Sequence, residues 1–168
     1  MGLSFEPVTK LSALDKVEGF SCGKPELDRF LERYAWINQK SGGANTYVLK
    51  QEENVIGYYS LAAGQVERLS APERVVKGLA GHPVPVILLA RLAVAREFQR
   101  QGAGRALLKD ALLRTLQAGD IAGIRALLVH AKDEEAKNWY LSWNFEPSPT
   151  DPLHLFLLLK DIAASLKR

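Results

Sequence analysis

The segment from Ala90 to Leu108 constrains this chain more than any other part of it. An apolar run ends at Val94, a short polar turn follows, and Gln99-x-x-Gly102-x-Gly104 leads into a helical pattern. The order is strand, glycine-bearing loop, helix. A helix N-terminus presents backbone N–H groups that have no intrahelical acceptor, together with the positive end of the peptide dipole. Glycines let such a backbone approach a bulky anion without Cβ clashes. The combination makes a main-chain cradle for phosphate or pyrophosphate. Arg96, Arg100 and Arg105 crowd the same turn and add charge and bidentate donors. A Gly-x-Gly by itself also serves tight turns and helix caps; the preceding strand and the three arginines favour the anion site here. The loop lacks the Gly-Lys-Ser/Thr of a P-loop. Leu107 stands where the dinucleotide fingerprint needs its third glycine.

A second informative stretch lies further on. Ile124 to Ala131 reads as a buried strand. Asp133 is placed to cap a helix that opens with Glu134 and Glu135, acids suited to a first turn. The helix runs through Ala136, Asn138, Trp139 and Tyr140 to Trp143, and Asn144-Phe145 closes it. Asn ranks after Gly for a left-handed helix C-cap.

The remaining pattern alternates strands and helices. Ser4–Val8 reads as a first strand. Pro25–Gln39 reads as an amphipathic helix with Leu27, Phe30, Leu31, Tyr34 and Ile37 on its apolar face, ended by Ser41-Gly42-Gly43. Thr46–Lys50 and Val55–Ala62 form a hairpin about Glu52-Glu53-Asn54. Ser70–Gly81 is either a short helix or a loop. Val84–Val94 is a strand, Gly102–Ala118 a helix and Leu153–Leu159 a last strand. Spacing alone implies an α/β or α+β fold, a mixed sheet covered by helices. With 168 residues, 47% of them hydrophobic, the expectation is one domain over 1–168.

Composition excludes several classes. The lone cysteine, Cys22, cannot form an internal disulfide, and a packed thiol is the expectation for it. No Cys/His/Asp set has metal-ligand spacing, so no metal is expected. Met1–Glu6 carries neither the basic nor the apolar part of a signal peptide, and the longest apolar runs are too short to span a bilayer. The expectation is a cytoplasmic protein with no membrane partner. A formal net charge of +3 leaves nucleic-acid binding open. Arg29, Arg33, Lys40, Arg68, Arg74, Lys77 and Arg91 are the cations available to a polyanion, diluted by Glu26, Glu32, Glu67 and Glu73. His130 has the chemistry of a base but ends an apolar strand, where a packed histidine is the more common outcome. His82 and His154 offer no supporting constellation.

Gln99-x-x-Gly102-x-Gly104 resembles motif A of the GNAT superfamily of N-acetyltransferases, which binds the pyrophosphate of coenzyme A. Ala136-x-x-Trp139-Tyr140 closing at Asn144-Phe145 resembles motif B of the same family. Two departures are visible. Asn144 replaces the usual Gly, and Ala95 stands where many relatives carry Asp. Further likeness at Phe20–Gly23, Leu27–Leu31, Gly57–Ala62, Pro83–Val94 and Pro147–Pro149 is similar to the TacT-like toxins of type II toxin–antitoxin pairs, and covers roughly residues 14 to 159.

The resemblance implies a GNAT fold: a central mixed, mostly antiparallel sheet with helices on both faces. It implies acetyl-CoA as co-substrate and aminoacyl-tRNA as acceptor, with acetylation of the amino group stopping translation. It also implies a ribbon-helix-helix antitoxin partner and a homodimer. An N-acetyltransferase acting on a small amine or a protein amine is the alternative. By the same resemblance, the backbone of Leu92, Ala93 and Val94 lines the pantetheine arm and orients the thioester carbonyl. Gln99, Arg100, Gln101, Gly102, Ala103, Gly104 and Arg105 hold the pyrophosphate, Asn138 reaches the pantetheine amides, and Tyr140 protonates the departing thiolate. A phenol titrating near ~10 suits a thiolate near ~8.5. An aromatic packed beside Trp139 is the competing account of Tyr140.

Overall fold

The computed structural model describes residues 5–166. Seven strands form a sheet in the order β1-β2-β3-β4-β5-β7-β6. They are β1 (Thr9–Lys10), β2 (Asn45–Gln51), β3 (Asn54–Val66), β4 (Val84–Val94), β5 (Ala126–His130), β6 (Glu146–Pro147) and β7 (His154–Leu158). β4 and β5 run parallel, while β1–β2, β2–β3, β5–β7 and β6–β7 are antiparallel. The mixed, mostly antiparallel α/β class is therefore the one expected. The chain forms two compact units: one takes the chain up to Ala62 with Ala90–Ala111, the other Ala63–Leu89 with Leu112 onward.

In the first unit the expected hairpin forms, with Glu52 taking the left-handed conformation (φ 60°) that its tight turn requires. Thr46 and Ser60 share a buried hydroxyl–hydroxyl hydrogen bond of 2.7 Å across it. The expected first strand differs. Ser4 lies outside the described residues, and pairing starts only at Thr9, opposite Val48. Pro7 has no N–H to give a ladder, which fits an edge strand that begins beyond it.

The expected helix over 25–39 is α1 (Pro25–Arg29), a π-helical turn (Phe30–Tyr34) and α2 (Ala35–Lys40). The Ala35 N–H donates to the Phe30 carbonyl, five residues back. That extra residue in the turn rotates the following face by about 100°. Phe30 and Leu31 are buried as expected and Ala35 joins them, while Tyr34 and Ile37, expected inside, are 52% and 64% exposed. The core of this unit gathers Leu11, Phe20, Phe30, Leu31, Val48 and Tyr58 with Ala93 and Ala95 from the end of β4. Each large apolar side chain so buried contributes about 1.5–3 kcal/mol.

In the second unit β5 is buried from Ala126 to Val129 without alternation, as befits a strand covered on both faces. Its core unites Val84, Val86, Ala126, Leu128, Phe156 and Leu158 with Ala71 and Val75. The uncertain stretch after Ser70 resolves as a single helical turn, α3 (Glu73–Val76). Arg125 ends that turn by donating to the carbonyls of Val75 and Lys77, both at 2.7 Å. β7 stops one residue earlier than expected, because Leu159 opens a further helix, α6 (Leu159–Ser165).

Candidate active site

In the first unit, β4 delivers the chain to the glycine loop and then to α4 (Ala103–Ile121). The loop is clamped at each step. The Ala95 N–H donates to Ile56 (2.8 Å) and the Arg96 N–H to Ser21 (2.9 Å). The Gln99 side-chain amide donates twice, to the carbonyls of Cys22 (2.9 Å) and Val94 (2.8 Å). Gln99 thus spends its side chain bracing the loop against the strand end. The φ angles of Arg100 (63°) and Gly102 (92°) are positive while that of Gln101 is not. Alternating hand of this kind turns successive N–H groups toward one concavity, an anion nest. Gly102 then starts the helix, its carbonyl accepting from the Ala106 N–H at 3.0 Å. Ala103 is buried, whereas Arg100, Gly102 and Arg105 are exposed. First-turn amides at Ala103, Gly104 and Arg105 lack intrahelical acceptors, the arrangement in which helix N-termini hold anions.

Two supports of this loop were not singled out from sequence. A Cβ on Gly57 would sit 3.0 Å from Leu107 Cδ1 and 3.3 Å from the Ala93 carbonyl oxygen. Glycine therefore lets β3 approach the end of β4 and the first turns of α4. Tyr59 donates its hydroxyl to Asp110 at 2.6 Å, tying β3 to α4. An isolated glycine inside a strand pattern is the readable signal for the first of these. Ala95, the departure from the family pattern, is packed in the Phe20–Tyr58 core.

The second unit carries α5 (Glu134–Leu141). Asp133 caps it as expected, its carboxylate accepting from the Ala136 N–H at 2.8 Å. At the far end the Asn144 N–H donates to Leu141 (3.0 Å) and the Phe145 N–H to Tyr140 (3.3 Å), with Asn144 at φ 72°. These two bonds around a left-handed residue are a Schellman motif, and Asn144 takes the conformation expected of it. The accompanying apolar contact is made by Tyr140 and Phe145, their rings 5.3 Å apart.

The motif thereby sets the rotation of Tyr140. Its ring also meets Trp139 edge-on at 5.0 Å, and the residue is 6% exposed. Among the described residues its hydroxyl has no hydrogen-bond partner, yet no fully buried side-chain oxygen or nitrogen lacks one. The phenol oxygen therefore reaches the surface of an otherwise buried side chain. Burial pushes its pKa up, so the hydroxyl keeps its proton at any working pH. Asn138 is exposed on the same helix.

A model of the acetyltransferase (GNAT) domain matches residues 42–147. The chain belongs to the GNAT acetyltransferase family. Among GNAT relatives, a tRNA-acetylating toxin of Mycobacterium tuberculosis is 48% identical over 155 residues, 92% of this chain and 93% of that one. AtaT complexed with acetyl-methionyl-tRNAfMet superposes with a TM-score of 0.87 at 28% identity, covering 96% of this chain and 98% of that one. An AtaT mutant bound to the C-terminus of the antitoxin AtaR and acetyl-CoA gives a TM-score of 0.82 at 27% identity, covering 99% and 100%. No helix of the described residues is long and apolar enough to cross a membrane.

The cations proposed for a polyanion divide in this GNAT chain. Arg74 is paired with Glu146 (3.1 Å) and Asp161 (3.0 Å), and Arg68 donates to the carbonyl of Ala80 at 2.7 Å. Arg91 lies 3.6 Å over the Phe30 ring. Arg29, Arg33, Lys40 and Lys77 are exposed.

Proposed function

We propose that this GNAT protein is an acetyltransferase toxin that moves acetyl from acetyl-CoA to the amino group of an aminoacyl-tRNA and so halts translation. The observation that carries this reading is the 48% identity to a tRNA-acetylating toxin over nearly the whole of both chains. The whole chain acts as one catalytic domain. The nest from Gln99 to Arg105 holds the pyrophosphate of acetyl-CoA, chiefly by backbone. The main chain of Leu92, Ala93 and Val94 lines the pantetheine arm, and an N–H there stabilises the developing oxyanion. Asn138 reaches the pantetheine amides.

Tyr140 protonates the thiolate as it leaves. The same water-poor surroundings that raise a phenol's pKa raise that of a departing thiolate, so the two stay matched as the C–S bond breaks. AtaT has been solved with the C-terminus of an antitoxin, and an antitoxin partner is proposed here too, of ribbon-helix-helix type, along with a homodimeric toxin. The protein works in the cytoplasm, where charged tRNA is found.

The test is acetyl transfer from labelled acetyl-CoA to total charged tRNA by wild type and Tyr140→Phe. Label on the aminoacyl group with wild type, and little with Tyr140→Phe, is the expected result. Label with both removes Tyr140 from the chemistry. No label on tRNA, with acetyl-CoA bound, moves the acceptor to a small amine or a protein amine.

A further inference from the structure

Resting on that reading, we propose that Arg91 is a phosphate receptor for the acceptor. Its guanidinium binds a phosphodiester of the single-stranded 3′ end of the charged tRNA and so positions the aminoacyl amine at the thioester.

The observation behind this is a guanidinium with no oxygen to hold. Half-buried arginines elsewhere in the chain are spent on carbonyls. Arg125 donates to Val75 and Lys77, both at 2.7 Å, and Arg68 donates to Ala80 at 2.7 Å. Arg91 is half-buried too, yet among the described residues it donates to no oxygen and pairs with no carboxylate. What holds it is an aromatic face, the guanidinium carbon lying 3.6 Å from the centroid of the Phe30 ring. The polar groups nearby are engaged otherwise. The Tyr58 hydroxyl, within reach of the Arg91 charge, donates to the Leu27 carbonyl at 2.7 Å. The Asp28 carboxylate, beside the same phenol, accepts from the Cys22 N–H at 2.8 Å.

Taking a guanidinium partly out of water without an acceptor costs free energy, which stacking on a ring offsets only in part. The ring below is itself fixed, since Phe30 is buried and stacks on Tyr58 at 6.2 Å. Arg91 is therefore a cation pre-organised for an anion that comes from outside the chain. An arginine placed only to cover Phe30 would gain by turning its N–H groups to a carbonyl, as Arg68 and Arg125 do.

The strand says which anion. Side chains alternate along β4. Ala93 and Ala95 lie in the core with Phe30, Leu31 and Tyr58, so Arg91 belongs to that face. Val94 belongs to the other, where a Cβ on Gly57 would meet both Leu107 of α4 at 3.0 Å and Val94 Cγ2 at 3.7 Å. In the proposed function the first turn of α4 holds the phosphates of the coenzyme. Arg91 is turned away from α4, on the face left to the acceptor. It directly precedes Leu92, and a strand rises about 3.3 Å per residue. The guanidinium is thus about one nucleotide's length from the main chain proposed to hold the thioester. An aminoacyl ester on a terminal ribose carries its nearest phosphate at such a remove. A phosphodiester keeps its charge at any working pH, and its two free oxygens match the fork of N–H donors. Arg29 and Arg33, exposed on the helix to either side of Phe30, add positive charge that Glu32 reduces.

The test compares wild type and Arg91→Met, which keeps an unbranched stem over Phe30 and removes the charge. Two acceptors are used: charged tRNA, and aminoacyl-adenosine, which has the same ester and amine but no phosphate. Acetyl-CoA Kd and Tm are measured alongside. With charged tRNA, kcat/KM should fall about 10- to 100-fold, as when a charged hydrogen-bonding partner is removed. With aminoacyl-adenosine it should stay at the wild-type value, and acetyl-CoA Kd should not change. The slope of log kcat/KM for tRNA against log salt should become shallower by about 0.7, the share of one single-strand phosphate. That slope decides alone if the nucleoside turns over too slowly to measure. Arg91→Lys keeps a charge without the planar fork and should lose less, again only with tRNA. It carries the test if Arg91→Met does not fold.

An unimpaired rate with charged tRNA overturns the inference and leaves Arg91 to an acidic peptide or to packing. An equal loss with both acceptors, or an unchanged salt slope, overturns it in favour of a structural role. Weakened acetyl-CoA binding overturns it by giving Arg91 to the coenzyme. A wild type that leaves charged tRNA unlabelled overturns the functional reading itself, and this inference with it. A labelling wild type beside an unimpaired Arg91→Met sinks only the inference.

Discussion

The two halves of the proposed machinery are built from different materials. The loop from Gln99 to Gly104 is a backbone device: its geometry comes from positive φ at Arg100 and Gly102, and Gln99 spends its side chain holding the loop in place. The end of α5 is a side-chain device. Its Schellman turn closes on Tyr140, the proposed acid, whose ring packs between Trp139 and Phe145. A backbone site tolerates exchange of side chains but not of conformations. A side-chain site tolerates exchange of its scaffold, as Asn144 in place of glycine illustrates, but not of the residue that reacts.

That contrast can be broken at the reacting residue first. Tyr140→Phe keeps the ring contacts and removes only an oxygen with no hydrogen-bond partner among the described residues. Acetyl transfer to charged tRNA should fall about 10²–10⁴-fold, with Tm within a degree or so of wild type. An unchanged rate would return Tyr140 to the role of a packing residue.

Gly102→Ala probes the loop. Among the described residues nothing beyond its chain neighbours lies within 4 Å of the new Cβ, so the penalty is the backbone's at φ 92°. Strain of about 1–3 kcal/mol should weaken acetyl-CoA binding roughly 10-fold or more, read by calorimetry. Unchanged affinity would remove the left-handed conformation from the binding argument.

Asn144 sharpens the scaffold side. Asn144→Ala puts a Cβ-bearing residue without a helpful side chain at φ 72°, which should cost about 1 kcal/mol. Asn144→Gly should be stabilising by a few tenths of a kcal/mol. Both should leave the residual rate per folded molecule near wild type, since Tyr140 keeps its turn. Equal stability of the two variants would show that the left-handed turn does not limit folding.

The smallest effect concerns pH. Partial burial and the neighbouring His154 hold the His130 pKa below the ordinary histidine value. A histidine whose folded pKa is depressed favours the folded state while neutral. Its contribution is complete above the ordinary value of 6.5 and is lost as pH falls through the folded value. Tm should therefore decline on acidification below about 6.5, and less so in His130→Gln. Identical pH profiles for the two proteins would place the acid sensitivity elsewhere.

Much of this was legible in the chain. The strand–loop–helix order around Gly102, the cap at Asp133, the left-handed turn at Asn144 and the hairpin about Glu52 are local. They follow from φ preferences, missing Cβ atoms and side chains that reach their own backbone, all of which act over a few residues. The alternation of strand and helix patterns set the class of fold, α/β or α+β, in the same way.

Three things were decided only by tertiary structure. The π-turn after Phe30 moved Tyr34 and Ile37 outward, because packing of Phe30, Leu31 and Ala35 against one core overrode regular helical phase. Gln99 became a brace, because Cys22 was brought to it from far back in the chain. His130 and His154 became a pair, their rings stacked at 3.8 Å, because strand register, and not sequence distance, chooses cross-strand neighbours. Periodicity says which residues go inside; it carries no record of which partner, many residues away, will be waiting there.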